Sequence, residues 1–135
     1  KVAELPPEGG SIDVWGDGLQ TRSFLLVDEC IEATYRLVQS NFTGPVNIGS
    51  EEMVSINELV DIAAKVAGKK VEKNHIKGPL GVRGRNSDNT LIREKLGWDY
   101  SLTLEEGIKR TYEWIRWQIN KKIFTPDSSY EMPPY

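Results

Sequence analysis

Two capping boxes fix where helices begin in this chain and constrain its fold more than any other feature. They are the tetrapeptides Ser55–Glu58 and Thr103–Glu106. In each box the first hydroxyl accepts a hydrogen bond from the amide three residues on, and the glutamate reaches back to the first residue's amide. Apolar residues at helical spacing then predict a helix from Ile56 that Gly68 ends, and a longer helix from Leu104. The apolar stripe of the longer helix comprises Leu104, Ile108, Tyr112, Ile115 and Ile119, widened by Trp114.

Strand patterns alternate with these helices. Short runs of alternating or largely apolar residues predict four strands, at 11–15, 22–27, 46–48 and 71–76. Asp28 is placed to cap a further helix that runs to about Ser40. The expected inner face of that helix comprises Ile31, Thr34, Leu37 and Val38. A short helix closed by Gly97 follows the last strand. The alternation predicts an α/β fold, which would be α+β if this segment stood alone.

The chain's 135 residues suit one domain. Residues 1–10 hold two prolines and two glycines and are expected to form a connecting arm. Residues 11–122 are expected to form the folded region. Residues 123–135 have no periodicity, and we expect them to be a tail.

Composition excludes several classes of function. A net charge of −3 argues against general nucleic-acid binding, which needs a basic face. Cys30 is the single cysteine and His75 the single histidine, so neither an internal disulfide nor a protein-only zinc site is expected. No run of 18 apolar residues predicts a membrane span. The lone cysteine fits a reducing compartment, and we expect a cytoplasmic protein.

Two segments that are far apart in sequence carry arginines within glycine-rich, turn-forming stretches. The first is Trp15–Phe24 (Trp-Gly-Asp-Gly-Leu-Gln-Thr-Arg-Ser-Phe), and the second is Val82–Asn89 (Val-Arg-Gly-Arg-Asn-Ser-Asp-Asn). Arginine presents a planar fork of donors that matches phosphate oxygens. A surface arginine after a hairpin is the ordinary alternative for either segment.

Five side chains in these segments are candidate ligand contacts. Gln20 and Arg22 lie two apart at a strand entrance, so both are expected to project to one face. Arg83 and Arg85 flank Gly84, where the main chain can approach a ligand. Asp88 has two possible roles: it can cap the next helix or pair with Arg85, or it can accept hydrogen bonds from ribose hydroxyls. A helix N-terminus at that point would favour a diphosphate nearby.

Motifs for a cofactor and for catalysis are absent from the sequence. There is no Gly-x-Gly-x-x-Gly or Gly-x-x-Gly-x-x-Gly, which would bind a dinucleotide, and no Tyr-x-x-x-Lys. No nucleophile lies beside a base in the sequence. We therefore expect no catalytic, cofactor-binding or metal-binding residue in this chain.

The two arginine segments resemble the nucleotide-diphosphate grip of the NAD-dependent nucleotide-sugar epimerases and dehydratases, which are extended short-chain dehydrogenase/reductases. Over roughly residues 11–120 the chain is similar to the C-terminal third of these enzymes, and in particular to members acting on GDP-mannose. Further matching segments are Phe24–Cys30, Val46–Ser50, Glu94–Trp98 and Leu104–Ile108.

This resemblance implies roles for the candidate residues. Gln20 and Arg22 would contact the sugar nucleotide near its ribose and diphosphate, Arg85 would hold the diphosphate, and Asp88 would reach the ribose. It also implies NAD as cofactor, bound by a missing N-terminal Rossmann part, and a homodimeric parent. The chain would bind substrate and be inactive alone. Part of another nucleoside-diphosphate-sugar 4-epimerase or 4,6-dehydratase, and a stand-alone binding or interaction module without catalysis, are the alternatives.

Overall fold

The computed structural model describes residues 1–79 and 81–121. A short 3-10 helix, Val2–Glu4, precedes the main elements. These are β1 (Gly9–Trp15), β2 (Thr21–Ser23), α1 (Val27–Gln39), β3 (Met53–Ser55), α2 (Ile56–Ala67), β4 (Lys70–Ile76), β5 (Gly84–Arg85), α3 (Thr90–Leu96) and α4 (Leu104–Asn120).

The described strands form two small sheets. β1 pairs with β4 in parallel along its whole length, from Gly9 opposite Lys70 to Trp15 opposite Ile76. In the second sheet β2 is central, antiparallel to β3 and parallel to β5. Mixed strands and packed helices confirm the α/β prediction.

Both capping boxes form as predicted. Ser55 accepts from the amide of Glu58, whose carboxylate accepts from the amide of Ser55. Thr103 and Glu106 make the same reciprocal pair at the start of α4. Gly68 ends α2 at φ 65°, a left-handed backbone that glycine adopts without a Cβ penalty.

The core lies between α1, α3 and the segment that follows α3. Ala33 and Ile92 are fully buried, and Trp98 is nearly so. Partly buried hydrophobic side chains pack around them: Leu25, Val46, Ile48, Leu96 and Tyr100. On α4 the predicted stripe is buried or half-buried, but Trp114 is 44% exposed, so it does not widen that stripe.

Two strand predictions were wrong. The strand expected at 22–27 ends at Ser23, because its partner β3 starts at the opposite residue, Met53, and supplies no further hydrogen bonds. Residues 46–48 form no strand, since no described segment pairs with them, and they pack as extended chain against the core. The strand Met53–Ser55 was not predicted.

The expectations for α1 also need correction. The N-cap position of the helix is Leu26, two residues before Asp28, so Asp28 lies inside the first turn. No side chain makes a capping hydrogen bond at this end. Its buried residues are Glu29 and Ala33, whereas Ile31 is 62% and Val38 is 73% exposed. The carboxylate of Glu29 explains this orientation, because it accepts from the Ser101 amide and hydroxyl and from the Leu102 amide.

The N-terminal arm is tied to the domain by one lysine. The Lys69 ammonium donates to three main-chain carbonyls, those of Val2, Ala3 and Leu5.

Among the described helices, none is long and apolar enough to cross a membrane. The tail expected at 123–135 lies outside the described residues.

Candidate functional site

The structure brings the two arginine segments together through strand pairing. β2 and β5 run parallel, and Arg22 lies directly opposite Arg85 in their register. Opposed residues of neighbouring strands project to the same face of a sheet. Two guanidinium-bearing residues from distant parts of the sequence therefore share one face of one small sheet.

Arg22 binds the main chain that carries the other arginines. Its guanidinium donates to the carbonyl of Val82 at 2.6 Å and to that of Thr21 at the same distance. The amide of Thr21 in turn donates to the carbonyl of Arg83 at 2.9 Å. Arg22 thus fixes the position of the second segment as well as presenting charge.

Arg85 is exposed and lies next to a residue that must be small. A Cβ built on Gly84 would lie 2.9 Å from the hydroxyl of Thr21, closer than real side chains approach. Among the described residues, no hydrogen bond or ion pair engages the Arg85 guanidinium. Its fork of donors therefore remains available to an anion.

Arg83 points to the turn between β1 and β2. Its guanidinium donates to both carboxylate oxygens of Asp17, at 3.1 and 3.0 Å. The Leu19 amide donates to the same carboxylate at 2.9 Å, and this bond and Arg83 hold the pKa of Asp17 below its usual value. Arg83 itself precedes β5, and its side chain is bound to Asp17.

Gln20 lies beneath the same turn. It precedes β2 and is 8% exposed, so it does not project beside Arg22 as expected. Its amide nitrogen donates to the carbonyl of Trp15 at 3.2 Å. Its buried amide oxygen, Oε1, has no hydrogen-bond partner among the described residues. Buried acceptors usually have a hydrogen-bond partner, so this oxygen is an exception among the described residues.

Asp88 lies at the start of α3 and is exposed. Asn89 occupies the N-cap position, but the Asp88 carboxylate accepts from the Thr90 amide at 2.9 Å, which lowers its pKa. The capping role considered for Asp88 is therefore present in part. The other oxygen of the carboxylate faces no partner among the described hydrogen bonds.

A cluster of polar and charged side chains holds the start of α3 in place. Asn89 is fully buried and donates from its side chain to the carbonyl of Gly49 at 2.7 Å. Arg93 donates to both carboxylate oxygens of Glu51 and, through Nε, to Asp99. These contacts lower the pKa of Glu51 and of Asp99 and raise that of Arg93.

Sequence reasoning missed the residues that hold the turn in place. Asp17 was not among the candidate residues, although its position between two glycines is a signal for a tight turn. Asn57 gave no signal at all, because it was placed only within a capping box. In the structure its side chain donates to the Asp17 carbonyl at 2.9 Å, and its amide donates to the Gly18 carbonyl at 3.0 Å.

The described residues do not fit a dinucleotide. The glycine turn after β1 leads into strand β2, whereas a dinucleotide site needs a strand, a glycine turn and then a helix N-terminus. Within residues 1–79 and 81–121, no group of three or more His, Cys, Asp or Glu could hold a metal ion.

Residues 8–111 match the family model described as GDP-mannose 4,6 dehydratase. The chain belongs to this family. It is 56% identical over 110 residues to GDP-mannose 3,5-epimerase of Arabidopsis thaliana, an alignment that covers 82% of this chain and 29% of that enzyme. A more distant relative is UDP-glucuronic acid decarboxylase 3 of the same plant, 31% identical over 113 residues and matched over 33% of its length.

Solved structures give the same result. The chain superimposes on UDP-glucose 4-epimerase of Thermotoga maritima with a TM-score of 0.76 and 29% identity, covering 81% of this chain and 36% of that one. It matches the UDP-glucuronic acid 4-epimerase of Bacillus cereus, solved with UDP-glucuronic acid and NAD, with a TM-score of 0.72 and 27% identity over 79% of this chain. The predicted membership of the extended short-chain dehydrogenase/reductases, with NAD as the family's cofactor, is confirmed.

The chain spans about a third of the length of the relatives it matches.

Proposed function

We propose that this chain is the nucleotide-sugar-binding portion of an NAD-dependent enzyme of the GDP-mannose 3,5-epimerase type. The observation that carries the proposal is the register of β2 and β5, which sets Arg22 opposite Arg85. A diphosphate is a compact, doubly charged group, and two adjacent guanidinium groups on one face match it.

Each candidate residue has a distinct part in this binding. Arg85 supplies a free, exposed fork for the diphosphate, and Arg22 adds a second guanidinium on the same face. Asp88 offers the carboxylate oxygen that Thr90 leaves free to a ribose hydroxyl. The unpartnered Oε1 of Gln20 accepts from a hydroxyl of the ligand. Arg83 adds positive charge beside the site while bound to Asp17.

The chain contributes binding and orientation, and the chemistry lies elsewhere. Neither the sequence nor the described fold offers a dinucleotide loop or a Tyr-x-x-x-Lys pair. Binding energy from a part of the substrate remote from the reacting carbons can be used to orient those carbons. In this proposal the whole protein is a cytoplasmic homodimeric isomerase with NAD in its other part, and the isolated chain is inactive.

The outer face of α1 is the contact with that other part. Four apolar side chains spaced along one side of the helix are more than half exposed: Val27, Ile31, Tyr35 and Val38. Such a stripe normally faces protein. The relatives extend well beyond the matched region, so the remainder of the protein has the chain length to cover it.

A second candidate is the same role in an enzyme that acts on another nucleoside diphosphate sugar. The solved neighbours with the quoted scores act on UDP-sugars, as their names state. Arginine contacts read phosphate and not the base, so the candidate residues serve either substrate equally well.

Titration calorimetry on the purified chain tests the proposal. We expect binding of GDP-mannose and of GDP, clearly weaker binding of GMP, which lacks the second phosphate, and no micromolar binding of NAD. UDP-glucose is titrated in parallel, and tighter binding of one of the two sugar nucleotides would favour the corresponding candidate. Equal affinity for GMP and GDP would contradict the proposal that the chain binds a diphosphate. Turnover of GDP-mannose by the purified chain would contradict the proposal that the chain is inactive alone.

A further inference from the structure

We infer that Asp17 is a positioning residue for the proposed nucleotide-sugar site, acting through Arg83 on the segment that carries Arg85. This inference rests on the proposed function and deepens it. Arg83 then serves the site by its bond to Asp17 rather than as a direct ligand of phosphate.

Asp17 lies in a tight turn that several contacts hold in place. Gly16 and Gly18, on either side, have φ values of 71° and 68°, so the turn needs glycine at both positions. Asn57 closes the turn from below with two hydrogen bonds to its carbonyls. A Cβ on Gly18 would lie 2.1 Å from the Asn57 side chain, so the two are packed without space between them.

A further contact orients Asn57 itself. Its side-chain oxygen lies 3.0 Å from Nε2 of His75, on strand β4. The base of the turn is therefore linked to α2 through Asn57 and to the β1–β4 sheet through His75. The turn that carries Asp17 is therefore held by elements that lie outside the Val82–Asn89 segment.

The ion pair between Asp17 and Arg83 links this turn to the second segment. Both oxygens of Asp17 accept from one nitrogen of Arg83, while the Leu19 amide keeps the carboxylate from rotating. The side chains are 63% and 49% exposed. Exposed ion pairs contribute little to folding stability, so the consequence of this pair is local, in the orientation of the segment.

Two further hydrogen bonds hold the main chain of the same segment, at the consecutive residues Val82 and Arg83. Arg22 holds the carbonyl of Val82, and the Thr21 amide holds the carbonyl of Arg83. The segment is thus fixed at both main chain and side chain immediately before Gly84. Arg85 is the next side chain after these tethers, in the short strand that they lead into.

The test is a double-mutant cycle on the full chain, with GDP as the probe in titration calorimetry. Asp17→Asn keeps an acceptor for the Leu19 amide and removes the charge, and Arg83→Gln removes the other partner. We expect each single variant to weaken GDP binding by about threefold to tenfold, and the double variant to be no weaker than either single. Arg83→Lys, which keeps a charge for Asp17, should recover part of the loss.

A matched control comes from the preceding strand. The Asp13 carboxylate also accepts a side-chain hydrogen bond from a neighbouring strand, from Asn74, but it touches neither arginine segment. Asp13→Asn should leave GDP affinity unchanged. Melting curves of all variants show that they are folded, and we expect little change, since the pair is exposed.

The outcomes separate the inference from the proposed function. If the wild-type chain binds no GDP, both the inference and the proposed function are contradicted. A second outcome is that the wild type binds GDP, Asp17→Asn binds it as well or more tightly, and Arg83→Gln binds it more weakly. This would mean that Arg83 contacts the phosphate directly. That result overturns the positioning role and leaves the proposed function standing. Strict additivity in the double variant also overturns it.

Discussion

Leu91 and Ile92 are neighbours on α3, yet Leu91 is 37% exposed while Ile92 is completely buried. Ile92 belongs to the central cluster with Ala33 and Trp98, and Leu91 lies on the side of the helix that faces away from it. The two residues thus provide a matched pair of apolar side chains, nearly equal in size, in one helix.

Ile92→Ala should destabilise the chain by about 2–5 kcal/mol, because it removes buried methylenes and leaves a cavity in the core. Leu91→Ala, at the exposed neighbour, should cost clearly less. Urea unfolding followed by circular dichroism measures both free energies of unfolding. Equal losses for the two variants would mean that α3 does not pack as described.

Acidification should destabilise the chain in part through Glu51. The Arg93 guanidinium and the Asn89 amide hold the folded-state pKa of Glu51 below its ordinary value of 4.5. A carboxylate with a depressed folded pKa contributes stability that is present above its unfolded pKa and is lost as pH falls through the folded one. Stability should therefore drop below about pH 4.5.

Glu51→Gln provides the comparison for this pH dependence. It cannot titrate, so the difference in unfolding free energy between wild type and variant should shrink as pH falls from 7 to 3. Urea unfolding at several pH values measures it. A difference that stays constant over this range would show that Glu51 is not linked to folding through its charge.

Gln20→Leu should affect ligand binding more than folding. The variant loses one hydrogen bond, to the Trp15 carbonyl, and also removes a buried oxygen that has no described partner, so the two effects on stability partly cancel. We expect a change in unfolding free energy below about 1 kcal/mol and weaker GDP-mannose binding. A lowered melting temperature with unchanged affinity would assign Gln20 to structure alone.

The local signals in the sequence were sufficient for the starts of α2 and α4. Ser55 and Thr103 identified two helix starts correctly, because a capping box is satisfied within four residues. The glycine-rich segments made Arg22 and Arg85 candidate residues, but they did not predict that strand pairing would set one opposite the other. That register depends on contacts between distant segments, which no local pattern encodes.

The errors arise where burial depends on distant neighbours. Residues 46–48 have strand composition but lack a pairing partner among the described residues. On α1, Ile31 and Val38 face outward because Glu29 anchors the opposite side of the helix. Asn57 escaped notice for the same reason, since its role depends on the turn at Asp17, far away in the sequence.

The proposal that Arg22 and Arg85 hold one diphosphate together is tested most directly by a double-mutant cycle. Titration of GDP-mannose against wild type, Arg22→Ala, Arg85→Ala and the double variant provides it, with Arg110→Ala on α4 as an arginine control. Arg85→Ala should weaken binding by about 1.5–3 kcal/mol, Arg85→Lys should recover only part, and the double variant should depart from additivity. Unchanged affinity in Arg85→Ala, with an intact melting curve, would contradict the account.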